Sequence, residues 1–140
     1  MAIVNVEYST EIQATADKVW DILADVEAWP KWQGTSFIKL KTPTPIKEGS
    51  VFDVKLAGLK WNITMTKAEK PEKFAWIGKA LGMQGNHEWE FKEHEGKTSA
   101  TTRESVSGWI AIPLYLLARM NAQKLNKKWL ADLKARAESS

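Results

Sequence analysis

His87-Glu88-Trp89-Glu90-Phe91-Lys92-Glu93-His94-Glu95-Gly96-Lys97-Thr98-Ser99-Ala100-Thr101-Thr102-Arg103-Glu104 is the stretch on which the fold turns. His87, Trp89 and Phe91 alternate with Glu88, Glu90 and Lys92, the period-two pattern of a strand with one buried face. Glu95-Gly96 is a two-residue hairpin signal. Closing the chain there sets His87 opposite Glu104, Trp89 opposite Thr102 and Phe91 opposite Ala100. The inward parity of one strand then meets the inward parity of the next, which a one-residue slip would destroy. The same constant-sum arithmetic works outward from this hairpin. A turn centred on Gly82-Met83 predicts Gly78 opposite His87, Trp76 opposite Trp89 and Phe74 opposite Phe91. A turn at Lys70-Pro71 sets Met65 against Trp76 and Ile63 against Gly78. One at Ala57-Gly58 sets Phe52 against Ile63 and Val54 against Trp61. The chain from Phe37 to about Ser107 therefore reads as successive antiparallel strands.

Val4, Val6 and Tyr8 alternate with polar residues and predict a first strand. Thr15 offers a helix N-cap and Asp17 suits the first turn of a short helix through Val19, Trp20 and Leu23. A second short helix or turn carries Val26 and Trp29 and is expected to stop near Pro30. Thr42-Pro43-Thr44-Pro45 reads as a stiff surface loop. From about Trp109 the period becomes helical, with Leu114, Leu117, Ala118, Ala122, Leu125 and Trp129 on one stripe and Pro113 in the first turn. These elements predict an α+β domain spanning residues 1–140. Its curved antiparallel sheet of about six or seven strands wraps a long C-terminal α-helix, with two short helices after strand 1.

Composition excludes several alternatives. With 44% hydrophobic and 26% charged residues, the 140-residue chain is an ordinary globular mix. Cysteine is absent, which removes disulfides, thiolate zinc sites and a cysteine nucleophile. A net charge of +3 is too balanced for a nucleic-acid binder. No export signal or membrane span is legible, so a cytoplasmic protein without stable membrane insertion, monomeric or homodimeric, is expected. No Gly-x-Ser-x-Gly element or phosphate-cradling glycine loop occurs. His94 sits between Glu93 and Glu95 at a hairpin tip, a poor ligand set, so neither metal nor cofactor is expected. The unusual count is 8 Trp against 2 Tyr and 4 Phe.

The predicted register builds an inward row Glu104, His87, Gly78, Ile63, Phe52, beside a row Thr102, Trp89, Trp76, Met65, Ser50. Indoles stand next to a glycine with no side chain, and a His and a Glu face the interior. A filled core would carry Leu or Ile there, so a partly hollow, partly polar cavity is expected. Asn121 lies in the apolar stripe of the terminal helix and points a third polar group at the same space.

The motifs Val19-Trp20-Asp21-Ile22-Leu23, Trp29-Pro30-Lys31-Trp32, Ile46-Lys47-Glu48-Gly49-Ser50-Val51-Phe52, Trp76-Ile77-Gly78, His87-Glu88-Trp89-Glu90-Phe91, Gly96-Lys97-Thr98 and Glu104-Ser105-Val106-Ser107-Gly108 occur in that order. In order and spacing, across essentially the whole chain, the sequence resembles the START-like (Bet v 1-like, SRPBCC) superfamily, and within it the polyketide cyclase/dehydrase-type proteins. The resemblance implies a helix-grip fold with a hydrophobic cavity between sheet and helix. It also implies a lipid, sterol, polyketide or other apolar ligand; a minority of members are enzymes. It supplies no shared catalytic residue.

The expected binding residues are Phe52, Trp61, Ile63, Met65, Trp76, Gly78, Trp89, Thr102 and Asn121, with Trp20, Trp29 and Trp129 structural. His87 and Glu104 form the candidate catalytic pair, Glu104 orienting an imidazole whose free nitrogen acts as base in a cyclisation, dehydration or isomerisation. The bland alternative is a mutually satisfied pair that fixes register or holds ligand oxygens. The basic helix residues Arg119, Lys124, Lys127, Lys128, Lys134 and Arg136 read as a solvated face, or else as the surface of a protein-interaction or lipid-handling module. Ile110, Ile112 and Leu116 suggest an apolar lip over the cavity mouth or a dimer contact.

Overall fold

A computed structural model describes residues 2–56 and 58–139. In chain order come β1 (Ala2–Ile12), α1 (Ala16–Ala24), α2 (Trp29–Trp32), β2 (Phe37–Leu40), β3 (Val51–Leu56), β4 (Leu59–Glu69), β5 (Lys73–Ala80), β6 (Met83–His94), β7 (Lys97–Ser107) and α3 (Tyr115–Ser139). The strands form one antiparallel sheet in the order β1-β7-β6-β5-β4-β3-β2, so the meander from β2 to β7 is completed by β1. Thr15 caps α1 as expected, its hydroxyl accepting from the Lys18 N–H at 3.3 Å. Pro30 does not end a helix: it lies in the first turn of α2, where a missing N–H costs nothing.

Three hairpins have the predicted register: His87 pairs with Glu104, Phe52 with Ile63, and Met65 with Trp76. The β4–β5 loop has an odd length, but a bulge between Met65 and Lys67 absorbs the extra residue and restores the parity. The fourth differs. β5 and β6 join at Leu81-Gly82 rather than Gly82-Met83, so Trp76 faces His87, Phe74 faces Trp89, and Gly78 faces Gly85. Leu81 and Gly82 both have positive φ (28° and 72°), the backbone of a primed turn with glycine second. Glu95-Gly96 has the same form, at 54° and 78°. Moving the turn by one residue slides the register by two, which keeps every side chain on its face but changes its neighbour.

The long helix begins later than the period suggested. Gly108 has φ 118°, and a Cβ there would collide with the carbonyl oxygen of Gly82. This close approach to the β5–β6 turn breaks the chain between β7 and a short 3-10 turn at Trp109–Ala111, leaving Pro113 ahead of α3. The second half of α3 buries Trp129, Leu130, Leu133 and Ala137 on the sheet. Trp129 touches the rings of Trp29 (5.2 Å between centroids), Trp76 (5.4 Å), His87 (5.2 Å) and Trp89 (5.9 Å). Trp29 and Trp20 are fixed through their indole N–H groups, which donate to the Leu23 and Lys73 carbonyls, both at 2.9 Å.

Trp129 is therefore the bolt between helix and sheet. Trp129→Ala is expected to lower unfolding free energy in urea by about 3–5 kcal/mol. Trp109→Ala, whose ring is largely exposed, is expected to cost less than about 1 kcal/mol.

Candidate functional site

Gly78 and Gly85 sit opposite each other on β5 and β6, so two adjacent inward positions of the sheet carry no side chain. Above them lies a cavity of about 220 Å³ between the sheet and the first half of α3. Trp61, Ile63, Trp76 and Val106 form its apolar walls, and Ala118, Ala122, Leu125 and Trp129 its helical roof. The two glycines are not equivalent. A Cβ on Gly78 would lie 3.0 Å from Ile63 Cδ1 and 3.3 Å from Trp61 Cε3, so wall residues already crowd it. A Cβ on Gly85 would meet only Glu104 Oε2, at an ordinary 3.5 Å. The Glu104 carboxyl thus leans over the bare strand.

One side of the cavity is a polar relay. His87 Nε2 lies 2.7 Å from Thr102 Oγ1, and its Nδ1 lies 3.6 Å from Glu104 Oε2. Asn126 Nδ2 donates to Glu104 Oε1 at 2.8 Å and to the Ala122 carbonyl at 2.8 Å, while its Oδ1 accepts from the Thr102 hydroxyl at 3.5 Å. His87, Thr102 and Asn126 are buried, whereas the Glu104 side chain keeps 22% of its surface exposed. Both imidazole nitrogens face protein partners. The expectation of a free ring nitrogen is thereby corrected: the polar group of this relay that remains open to the cavity is the Glu104 carboxyl.

Burial dominates the electrostatics. It pushes the Glu104 carboxyl up to about 7, against the lowering effect of the Asn126 amide, and the His87 imidazole down to about 3. At slightly acid pH the native pair thus holds its one proton on the carboxyl and stays uncharged, since an ion pair here would be costly to desolvate. A carboxyl poised near neutrality can donate a hydrogen bond to a ligand oxygen, or exchange a proton with it.

Of the residues singled out from the sequence, Trp61, Ile63, Trp76, Gly78, His87, Glu104 and Asn121 line the cavity, Asn121 at its exposed rim. Phe52, Met65, Trp89 and Thr102 do not; they are fully buried behind the wall, Trp89 stacked on His87 at 5.4 Å. Several lining residues were missed, among them Leu56, Leu59, Met83, Val106, Gly85 and Asn126. Gly85 was hidden by the two-residue slip in register. Asn126 lies four residues after Ala122 and three before Trp129, a spacing that places it on the helical stripe. Among the described residues no group of histidines and acids has the geometry to hold a metal ion.

The sequence profile of the family described as polyketide cyclase / dehydrase and lipid transport matches residues 4–138. The chain belongs to this family. No curated protein matches it. Solved structures share its START-like fold at low identity. A START superfamily protein from Mycobacterium smegmatis superposes with TM-score 0.80 at 14% identity, over 96% of this chain and 97% of the other. The Zhui aromatase/cyclase from Streptomyces sp. R1128 gives 0.79 at 17%, over 96% and 93%. A hypothetical protein of Helicobacter pylori, jhp0584, gives 0.77 at 23%, over 96% and 86%. No described helix is long and apolar enough to cross a membrane.

The relay has a distinctive pH signature. Between about 4.5 and 6.5, the two unperturbed values, the unfolded pair also holds one proton, on the imidazole instead of the carboxyl. Native and unfolded states then bind equal numbers, and the pair adds no slope to stability. Desolvation is the main cause of both shifts, so each survives loss of the other group. Glu104→Gln leaves a depressed His87, and stability is expected to fall as pH drops below 6.5, approaching about 1.4 kcal/mol per pH unit. His87→Gln leaves a raised Glu104, whose contribution is full below 4.5 and is lost as pH rises to about 7. Urea titrations at each pH should give opposite slopes; parallel profiles for the two variants contradict the assignment.

Proposed function

We propose that the protein binds a small hydrophobic molecule, compact and carrying a carbonyl or hydroxyl, in the cavity over Gly78 and Gly85. The observation that carries this reading is an apolar hollow lined by His87 and Glu104, in which the Glu104 side chain is 22% exposed against 3% for His87. Size sets the class. An apolar cavity of about 150 Å³ takes one benzene ring. About 220 Å³ therefore suits one or two fused rings, not an extended chain. Trp61 and Trp76 supply flat apolar contact, and Glu104 hydrogen-bonds the ligand oxygen.

A second reading is favoured by the Glu104 carboxyl near 7: a cyclase, dehydratase or isomerase in which Glu104 moves the proton. His87 then acts as positioning residue rather than base, because its ring is buried and held on both sides. A module acting through the basic helix has weaker support, since Lys128 and Lys134 bind Asp132 and Glu138 at 2.6 and 2.7 Å.

The test is a titration with 2-naphthol, followed by quenching of tryptophan fluorescence. Wild type is expected to saturate, and Gly85→Leu, which fills the bare strand where a Cβ fits, to bind at least about tenfold more weakly, or ~1.4 kcal/mol. Gly85→Ala serves as the folded control. Equal affinity of Gly85→Leu and wild type overturns the reading.

A further inference from the structure

The cavity opens at the end of the molecule where the β3–β4 turn, the β5–β6 turn and the segment from Gly108 to α3 come together. The antiparallel meander puts these three connections at one end and the β1–α1, β4–β5 and β6–β7 connections at the other. The two ends differ in chemistry. The mouth exposes large apolar side chains from separate segments: Leu81 (74% exposed), Trp109 (71%), Ile112 (64%), Leu116 (71%) and Met120 (64%). The Trp109 ring lies over Gly82, so the β5–β6 turn and the lip before α3 form one continuous patch. Such a patch is unusual on a solvated surface and marks a contact.

Charge identifies the partner. Residues 54–68, 73–87 and 105–131, which contain all three mouth segments, include no Asp or Glu. Their mouth-proximal charges are Lys55, Lys79, Arg119 and Lys124, together with Lys60, which is paired with Asp53 at 3.6 Å. The far end is mixed instead: Glu69 and Glu72 stand with Lys70 and Lys73, Glu93 and Glu95 with Lys92 and Lys97, and Asp132 and Glu138 with Lys134 and Arg136. We propose that the mouth docks reversibly on an anionic lipid bilayer, the apolar lip entering the interface and the surrounding lysines facing lipid headgroups. A second copy of the chain is the poorer occupant, because pairing two mouths brings these cations against one another. That cargo then passes between bilayer and cavity rests on the ligand-binding reading above; docking itself does not.

Co-sedimentation with vesicles of phosphatidylcholine and phosphatidylserine, against phosphatidylcholine alone, tests this. Wild type is expected to pellet with the anionic vesicles and to be released by salt. The double variant Leu116→Ser/Met120→Ser, outside the cavity, should weaken partitioning at least about tenfold. Lys55→Gln and Lys79→Gln should each weaken it about fivefold, and Lys97→Gln, at the far end, should not. Wild type remaining in the supernatant overturns the proposal, as does pelleting of Leu116→Ser/Met120→Ser at the wild-type level. A dimer that this double variant dissociates, without vesicle binding by wild type, assigns the patch to self-association instead. Because Leu116 and Met120 do not line the cavity, 2-naphthol binding by the double variant is expected to match wild type, so failure of docking and failure of the ligand reading are distinguishable.

Discussion

Trp129, wedged among Trp29, Trp76, Trp89 and His87, divides α3 into two halves with different obligations. C-terminal to it the helix is seated on the sheet through Leu133 and Ala137, which are fully buried. N-terminal to it Ala122 packs with Val4, Val6 and Val106 and Asn126 bonds Glu104, but over β5 and β6 the sheet offers Gly78 and Gly85, which carry no side chain to meet the helix. A helix is stiff, so it does not sag into that gap; the space under residues 118–126 stays open and Leu116, Leu117 and Met120 stay exposed. Cavity and apolar lip are thus two consequences of a helix seated closely on the sheet only over its C-terminal half.

The polar relay belongs to the same boundary. His87 lies where the packed region ends, stacked on Trp89 and in tilted contact with Trp76, and its desolvation follows from that packing. Glu104 lies one strand further, over the space that Gly85 leaves. The bulk around the imidazole makes it neutral, and the partial opening beside the carboxyl lets that carboxyl reach a ligand. Asn126 ties the arrangement to the helix, so movement of α3 would alter the environment of the acidic proton.

Most of the fold was legible because period-two patterns and glycine turns carry it. Glu95-Gly96 and the pairing around Gly58 each placed a glycine second in the turn, and both gave the observed register. The β5–β6 turn obeys the same rule at Leu81-Gly82, but an exposed leucine with positive φ is not a usual turn residue. Centring on Gly82-Met83 therefore kept the faces and lost the neighbours, and with them the pairing of two glycines that hollows the sheet. The site was legible as a set of residue types on one face: His87, Glu104, Gly78, Trp61 and Trp76 all reach the cavity. What lay beyond a one-dimensional reading was depth. Trp89, Met65, Phe52 and Thr102 share that face and are nevertheless covered, since which inward residues end up behind others depends on how the helix lies across the sheet.

The most direct measurement of the central claim is a crystal equilibrated under xenon pressure, since this atom enters dry apolar cavities and avoids filled ones. Anomalous density is expected at a single interior position above Gly78 and Gly85, within contact of Trp61 and Trp129. Well-ordered crystals with no xenon there, the indoles instead meeting across the two glycines, would contradict the account.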